Sequence, residues 1–458
     1  MTLLRAAVPV VLAVLWTDLT GLGAARRLLS RLTGEEKIAW GFGAGMLLQS
    51  AIFSVLVLFR LPTRPLPMFL YGLVLALALC RLGRREDGAA PRAGAVPKAA
   101  RALLVLAAAA CALFLLQAVV EPMWANDYLA VWGLKAKTIS LSSAVPSRLF
   151  HDPAAAFSHP EYPLVLPLFL AAISALAGSW NDHALALLFP AFEAALLLGL
   201  FGFFRRRGKP RGGAVAALLV SLLFFLFQAF EVGMADIPLS FALVLLALAA
   251  VDLDEPQKGG GAAGRAAIAA LLCCGLKQEG TLFVVLLAGA LALRSLRGFR
   301  RKALAPSAVM LAAALTNWGL LRLLRGSLTD RDYDLSLPGG RGFPVLLARL
   351  SAVWATVLRA QVLPLAIPAA ALALFLILTP RTRLDFLLAV LGAQFVAYVS
   401  VCALSSVDPL WQAQFIPRIA AALFPVLCAV LGERFGSLFE GSEGRVRAFS
   451  PAVKVRGK

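Results

Sequence analysis

Charge is what this chain has least of: 15% of its 458 residues are Asp, Glu, Lys or Arg, where a soluble domain carries about a quarter. With 60% hydrophobic residues and a mean hydropathy of +0.83, a water-soluble globular fold is excluded. Histidine is scarcer still, limited to His151, His159 and His183. The cysteines, Cys80, Cys111, Cys273, Cys274, Cys402 and Cys428, fall within or at the ends of apolar runs, and none has metal-ligand spacing. They read as small core residues, giving neither a disulfide framework nor a zinc site, so no metal ligands are assigned. The strict alternation of a membrane β-barrel is also missing.

What is present is a succession of apolar runs of roughly 17–25 residues, each enough to cross ~30 Å of hydrocarbon. The expected fold class is an all-α polytopic integral membrane protein with roughly twelve crossings. The net charge of +19 excludes little by itself. Its residues cluster in short loops, Arg205-Arg206-Arg207, Arg294 to Lys302, Arg381 to Arg383 and the tail from Arg445 to Lys458. That is the signature of cytoplasmic loops rather than of a nucleic-acid surface, so no nucleic acid is expected as a partner. Placing those loops inside gives a multi-pass protein of the cell membrane.

Taken in order, residues 1–100 form an N-terminal transmembrane block. Residues 101–300 form a membrane core that includes an external loop, 121–162, carrying juxtamembrane helices. Residues 301–432 form a C-terminal transmembrane region, and 433–458 a basic cytoplasmic tail. Parity requires residues 163–204 to make one net crossing, and Pro160, Pro163 and Pro167 make 163–179 a broken or half-inserted helix. For 266–293, interrupted by Gly-Leu-Lys-Gln-Glu-Gly, two readings stand open: a helical hairpin with Lys277 and Glu279 at its turn, or one long helix with a buried ion pair. Residues 344–361 suit the membrane interface.

The external loop, EPMWANDYLAVWGLKAKTISLSSAVPSRLFHDPAAAFSHPEYP, is the longest polar segment that does not repeat. Glu121, Asp127, Lys135, Lys137, Asp152 and Glu161 crowd into it, with Trp124, Tyr128 and Trp132 between them. On a helix Trp124, Asp127, Val131 and Leu134 share a face. That arrangement suits a surface helix whose acid points at a site and whose lysines reach lipid phosphate. His159-Pro160-Glu161-Tyr162-Pro163 reads as a rigid entry to the next helix. Further along, Glu231, Asp236 and the Lys277/Glu279 pair are ionisable groups in apolar surroundings, which usually line a cavity or pathway.

The order of an apolar helix, WANDYLAVWGLKAK, HPEYPLVLP, GMADIPLSF and GLKQEG resembles that of the GT-C glycosyltransferases. These polytopic enzymes take sugar from a polyprenyl-phosphate carrier, and they include protein O-mannosyltransferases and lipid A aminoarabinose transferases. The resemblance covers about residues 102–285, with an echo in DPLWQAQFIPR. It implies Asp127 and Asp236 as catalytic acids, and Asp127 as the general base of an inverting transfer. Lys135, Lys137 and Arg418 would hold the donor phosphate. Trp124, Trp132, His159, Glu161, Tyr162 and Glu279 would contact substrate. Asn126 stands where the family commonly has a second acid, and the block before residue 100 is longer than most members place there. The implied partners are a polyprenyl-phosphate sugar donor, the lipid bilayer, and a cell-envelope glycan, lipid or protein acceptor. The active site would face the extracytoplasmic side. The residues specify no cofactor. The competing readings are an O-antigen polymerase or ligase, whose late external loop would be Arg322 to Arg341, and a transporter using Asp236 and Glu279.

Overall fold

The computed structural model describes residues 2–82, 94–121, 123–142, 153–226, 230–254, 261–297, 304–325, 343–357, 359, 366–404 and 416–448. Among these the secondary structure is entirely helical. In hydrocarbon no water is available to satisfy the backbone, so a chain of apolar runs closes its N–H and C=O groups within helices.

In chain order the helices are α1 (Thr2–Ala25), α2 (Gly34–Leu58), α3 (Pro65–Leu82), α4 (Lys98–Val120), α5 (Gly133–Ser142), α6 (Val165–Ala177), the short α7 (Asp182–Leu185), α8 (Leu188–Arg206) and α9 (Pro210–Leu226). Then follow α10 (Asp236–Asp254), α11 (Ala262–Leu276), α12 (Gln278–Arg297), α13 (Leu304–Arg325), α14 (Phe343–Val357), α15 (Ala366–Leu378), α16 (Phe386–Leu404), α17 (Ile416–Ala421) and α18 (Phe424–Ala448). Eight spans among the described residues are long and apolar enough to cross a bilayer, and five further apolar helices are shorter, at 10–17 residues. The chain is a multi-pass helical membrane protein. Against roughly twelve expected crossings, length and composition support eight among the described residues.

The bundle is centred on α10: 94% of its apolar window is buried, against 22% for α4 at the periphery. Phe42 of α2, Phe169 of α6, Phe192 of α8 and Phe241 of α10 meet edge to face, with centroids 5.0–6.1 Å apart. Lipid tails are as apolar as these side chains, so helix association depends on close packing rather than on escape from water. Small residues supply it: a Cβ on Gly45 of α2 would overlap the Thr17 carbonyl of α1, and one on Gly212 of α9 would overlap Gly432 of α18. Outward faces are lined with residues such as Leu12, Leu15, Leu19, Val105, Leu106 and Leu116, as a lipid-facing surface requires.

One end of the bundle is closed by buried ion pairs. Thr33 caps α2 in a reciprocal box with Glu36, worth about 1 kcal/mol. The same Glu36 carboxylate accepts two hydrogen bonds from Arg206 Nε and one from Nη2, at 2.9–3.0 Å. Arg206 also donates to Asp252, at 2.8 and 3.0 Å. Asp252 accepts from Arg265 at 2.7 Å, and Arg265 reaches the Leu28 carbonyl. Arg205 pairs with Glu35 beside them. The expectation that the 205–207 arginines are solvated loop charges is therefore corrected for Arg206, which joins α2, α8, α10 and α11.

Lys135 of α5 donates to the His159 carbonyl and Lys137 donates to Asp182. His159 and Asp182 thus both lie against α5, and α6 between them, about 20 Å long by helical rise, is shorter than the ~30 Å of hydrocarbon. Residues 266–293 form a hairpin rather than a single helix. Lys277 is extended (φ −152°, ψ 156°) between α11 and α12, and Gly280 lies so close to Cys273 that a Cβ would overlap the Cys273 carbonyl.

Candidate active site

The end of the bundle away from the Glu36–Arg206 cluster gathers polar residues from segments far apart in sequence. A π turn, Tyr128–Trp132, follows Asp127 directly and leads into α5. It carries one residue more than an α turn, which changes the helix face. Tyr128, Val131, Trp132, Lys135, Ala136 and Ile139 are buried, while Trp124 is 67% exposed. The expected face of Trp124, Asp127, Val131 and Leu134 does not form, and Trp124 stands apart from the other candidates.

Tyr128 anchors this turn. Its hydroxyl donates to Asp182 at 2.7 Å, alongside Trp180 Nε1 at 3.0 Å and Lys137 at 3.3 Å. Burial, reinforced by the Asp182 carboxylate, holds its phenol well above the usual range, so it stays a neutral donor. Gly233 packs against the Tyr128 side chain with φ +102°, a conformation that favours glycine, and a Cβ there would come within 2.9 Å of Tyr128 Cβ. The loop from Gly233 to Asp236 is thereby fitted onto the residue that follows Asp127.

The acids and bases of this end form a chain of alternating charge. Arg418 Nη2 donates to Asp127 Oδ2 and lies 3.8 Å from Asp236 Oδ2. Asp236 Oδ1 accepts from Lys277 Nζ at 3.0 Å, and Lys277 lies 3.3 Å from Glu279. Gln394 of α16 holds the Glu279 carbonyl at 2.9 Å. Asp236 and Lys277 are almost wholly buried, whereas Arg418 and Asp127 are about a quarter exposed, at 27% and 25% of the side chain. Among the described residues, Asp236 Oδ2 and Arg418 Nε have no hydrogen-bond partner. Both atoms are buried, so these are unfilled valences inside the cluster rather than on its open side.

Next to this chain Trp132, Tyr162 and His159 stack in a tier, with centroids 5.4 and 4.8 Å apart. Lys135 Nζ lies about 6 Å from the Trp132 and Tyr162 rings. His159 adopts a left-handed conformation (φ +49°) and its ring contacts Glu161 at 2.7 Å. Lys135 is fully buried. The expectation that it reaches lipid phosphate is corrected: its ammonium is spent on the His159 carbonyl. Lys137 is turned to Asp182 instead of the Asp127 chain.

Asp127, Asp236, Arg418 and Glu279 therefore converge, and Lys277 joins them as the cation that bridges the two buried acids. Trp132, His159, Glu161, Tyr162 and Lys135 form the adjoining tier. Asp182 was not singled out in the sequence, since it follows an ordinary Trp-Asn turn at a helix start; only the fold reveals its three donors. His151, Asp152, Asp408, Trp411 and Gln412 lie outside the described residues.

No family model, curated protein or solved structure matches this chain. Among the described residues no three His, Cys, Asp or Glu side chains come together as a metal site. An apolar groove of about 410 Å³ opens between α1, α4 and α8, lined by Val14, Leu115, Leu187 and Ala191 among others. Its wall α4 leads to Asp127, and Leu187 lies just beyond Asp182.

Proposed function

We propose that the protein is a membrane glycosyltransferase that moves a sugar from a polyprenyl-phosphate carrier to a hydroxyl acceptor, with inversion at the anomeric carbon. The observation that carries this reading is the convergence of Asp127, Asp236, Lys277 and Arg418 from four separate segments at one end of the bundle. Asp127, partly open, is the general base for the acceptor hydroxyl. Arg418, equally open, receives the phosphate as its charge grows on bond cleavage. Asp236 and Lys277, both buried, fix Arg418 and the hairpin turn in place. His159, at the partly exposed end of the aromatic tier, can contact a sugar, and the α1/α4/α8 groove suits an isoprenoid tail.

The basic loops cluster at the other end, where Arg205, Arg206 and Arg211 lie, so the positive-inside rule puts the site on the extracytoplasmic face of the cell membrane. The acceptor is a cell-envelope glycan, lipid or protein.

The test is turnover of a polyprenyl-phosphate sugar pool by protein in membranes. Asp127→Asn is expected to slow transfer by about 10²–10⁴-fold, the usual share of a general base, with normal amounts of folded protein. Unchanged transfer by Asp127→Asn would remove the base assignment. A wild-type protein that consumes no such donor would remove the glycosyltransferase reading.

A further inference from the structure

We infer that Arg418 holds Asp127 in reserve, and that a phosphate ligand releases the acid by taking the guanidinium from it. The inference rests on the reading of Asp127 as base and adds an order of events to it. Arg418 Nη2 donates directly to Asp127 Oδ2, so one of the two carboxylate oxygens is held against the guanidinium rather than turned to an incoming hydroxyl. The charges along the chain are unequal. Asp127, Asp236 and Glu279 carry three negative charges against the two positive charges of Arg418 and Lys277. An anion entering this surplus is repelled unless it takes over one of the cations.

The two cations differ in availability. Lys277 is 5% exposed and sits between two carboxylates at 3.0 and 3.3 Å. Arg418 is 27% exposed and keeps Asp236 only at 3.8 Å. A planar guanidinium partly open to solvent offers N–H groups to two phosphate oxygens at once. The phosphate therefore takes Arg418, and Asp127 swings free.

The chemical step follows. The acceptor hydroxyl gives its proton to Asp127 while its oxygen forms the new bond to the anomeric carbon. The bond from that carbon to the phosphate oxygen breaks, and its electron pair leaves with the phosphate, which remains on Arg418. The oxygen held by Arg418 thus turns to the acceptor once the donor is seated, which favours transfer over activation of water.

Coupling of this kind is reciprocal: if phosphate loosens Asp127 from Arg418, removing the acid must strengthen phosphate binding. The experiment is equilibrium binding of farnesyl phosphate to the purified full-length protein in detergent, comparing wild type, Asp127→Asn, Asp127→Ala and Glu121→Gln. Both Asp127 variants are expected to bind about tenfold tighter. Glu121→Gln, which removes one negative charge at an exposed position bonded to Gln117 and away from Arg418, is expected to change affinity by less than about threefold. Unchanged or weaker binding in the Asp127 variants, equal tightening by Glu121→Gln, or no binding by any of the four proteins would each overturn the inference. The outcome is separable from the turnover test. Tightened binding in a protein that transfers no sugar upholds the reserve and removes the transferase, whereas transfer without any affinity change does the reverse.

Discussion

The central helix α10 carries an acid at each end, and the two acids live in opposite circumstances. Asp252 belongs to a closed cluster, where Arg206, Arg265, Glu36 and Asp252 are 1–4% exposed and meet in short, partly bidentate contacts. Asp236, about 24 Å away by helical rise, belongs to a chain whose far members are a quarter open to solvent and whose own Oδ2 lacks a hydrogen bond. Both clusters pay the desolvation of buried charge. In the first, both oxygens of each carboxylate accept hydrogen bonds, and the result joins four helices. In the second, Asp236 Oδ2 accepts none, and Arg418 and Asp127 reach solvent. That difference in access distinguishes the end that holds the bundle from the end proposed to receive a ligand.

The comparison can be broken at either end. The largest expected effect is at the closed end: Arg206→Ala leaves Glu36 and half of Asp252 as buried uncompensated charge, costing about 3–5 kcal/mol. Thermal unfolding in detergent would measure it. A loss below about 1 kcal/mol would mean that the cluster is hydrated rather than closed. At the open end, Arg418→Lys keeps the charge but loses the planar fork. Donor turnover is expected to fall about 10²–10³-fold, while the unfolding midpoint stays near that of wild type. A stability loss as large as that of Arg206→Ala would show the two ends to be alike. The smallest effect belongs to Lys137→Ala. Its pair with Asp182 is 49% and 38% exposed, so less than about 0.5 kcal/mol is expected, with Tyr128 and Trp180 still on Asp182.

The membrane character and most helix positions were legible because apolar runs are local and long. Asp127, Asp236, Glu279 and Arg418 were legible for a related reason: a charge in or beside hydrocarbon is costly and stands out. What stayed hidden was pairing at a distance. Glu36 and Arg206 are 170 residues apart, and nothing near either predicts the other, so Arg206 looked like its solvated neighbours. Lys135 and Lys137 are alike in sequence, yet one is buried under His159 and the other is held by Asp182. Two positions apart on α5, they point to nearly opposite sides of the helix, and only the fold shows what each side meets.

The π turn before α5 sets what kinds of change the site can absorb over time. Substitutions within 128–132 alter packing, but a change in length alters direction. Losing one residue would convert the π turn to an α turn and rotate the chain before it by about 100° relative to α5. Asp127 would then leave Arg418 while every side chain of the site was still present. Chains that share this site should vary at exposed positions such as Leu129 and keep the count, so that the spacing between Asp127 and Gly133 is a more durable mark of common descent than the residues on the turn's outer side.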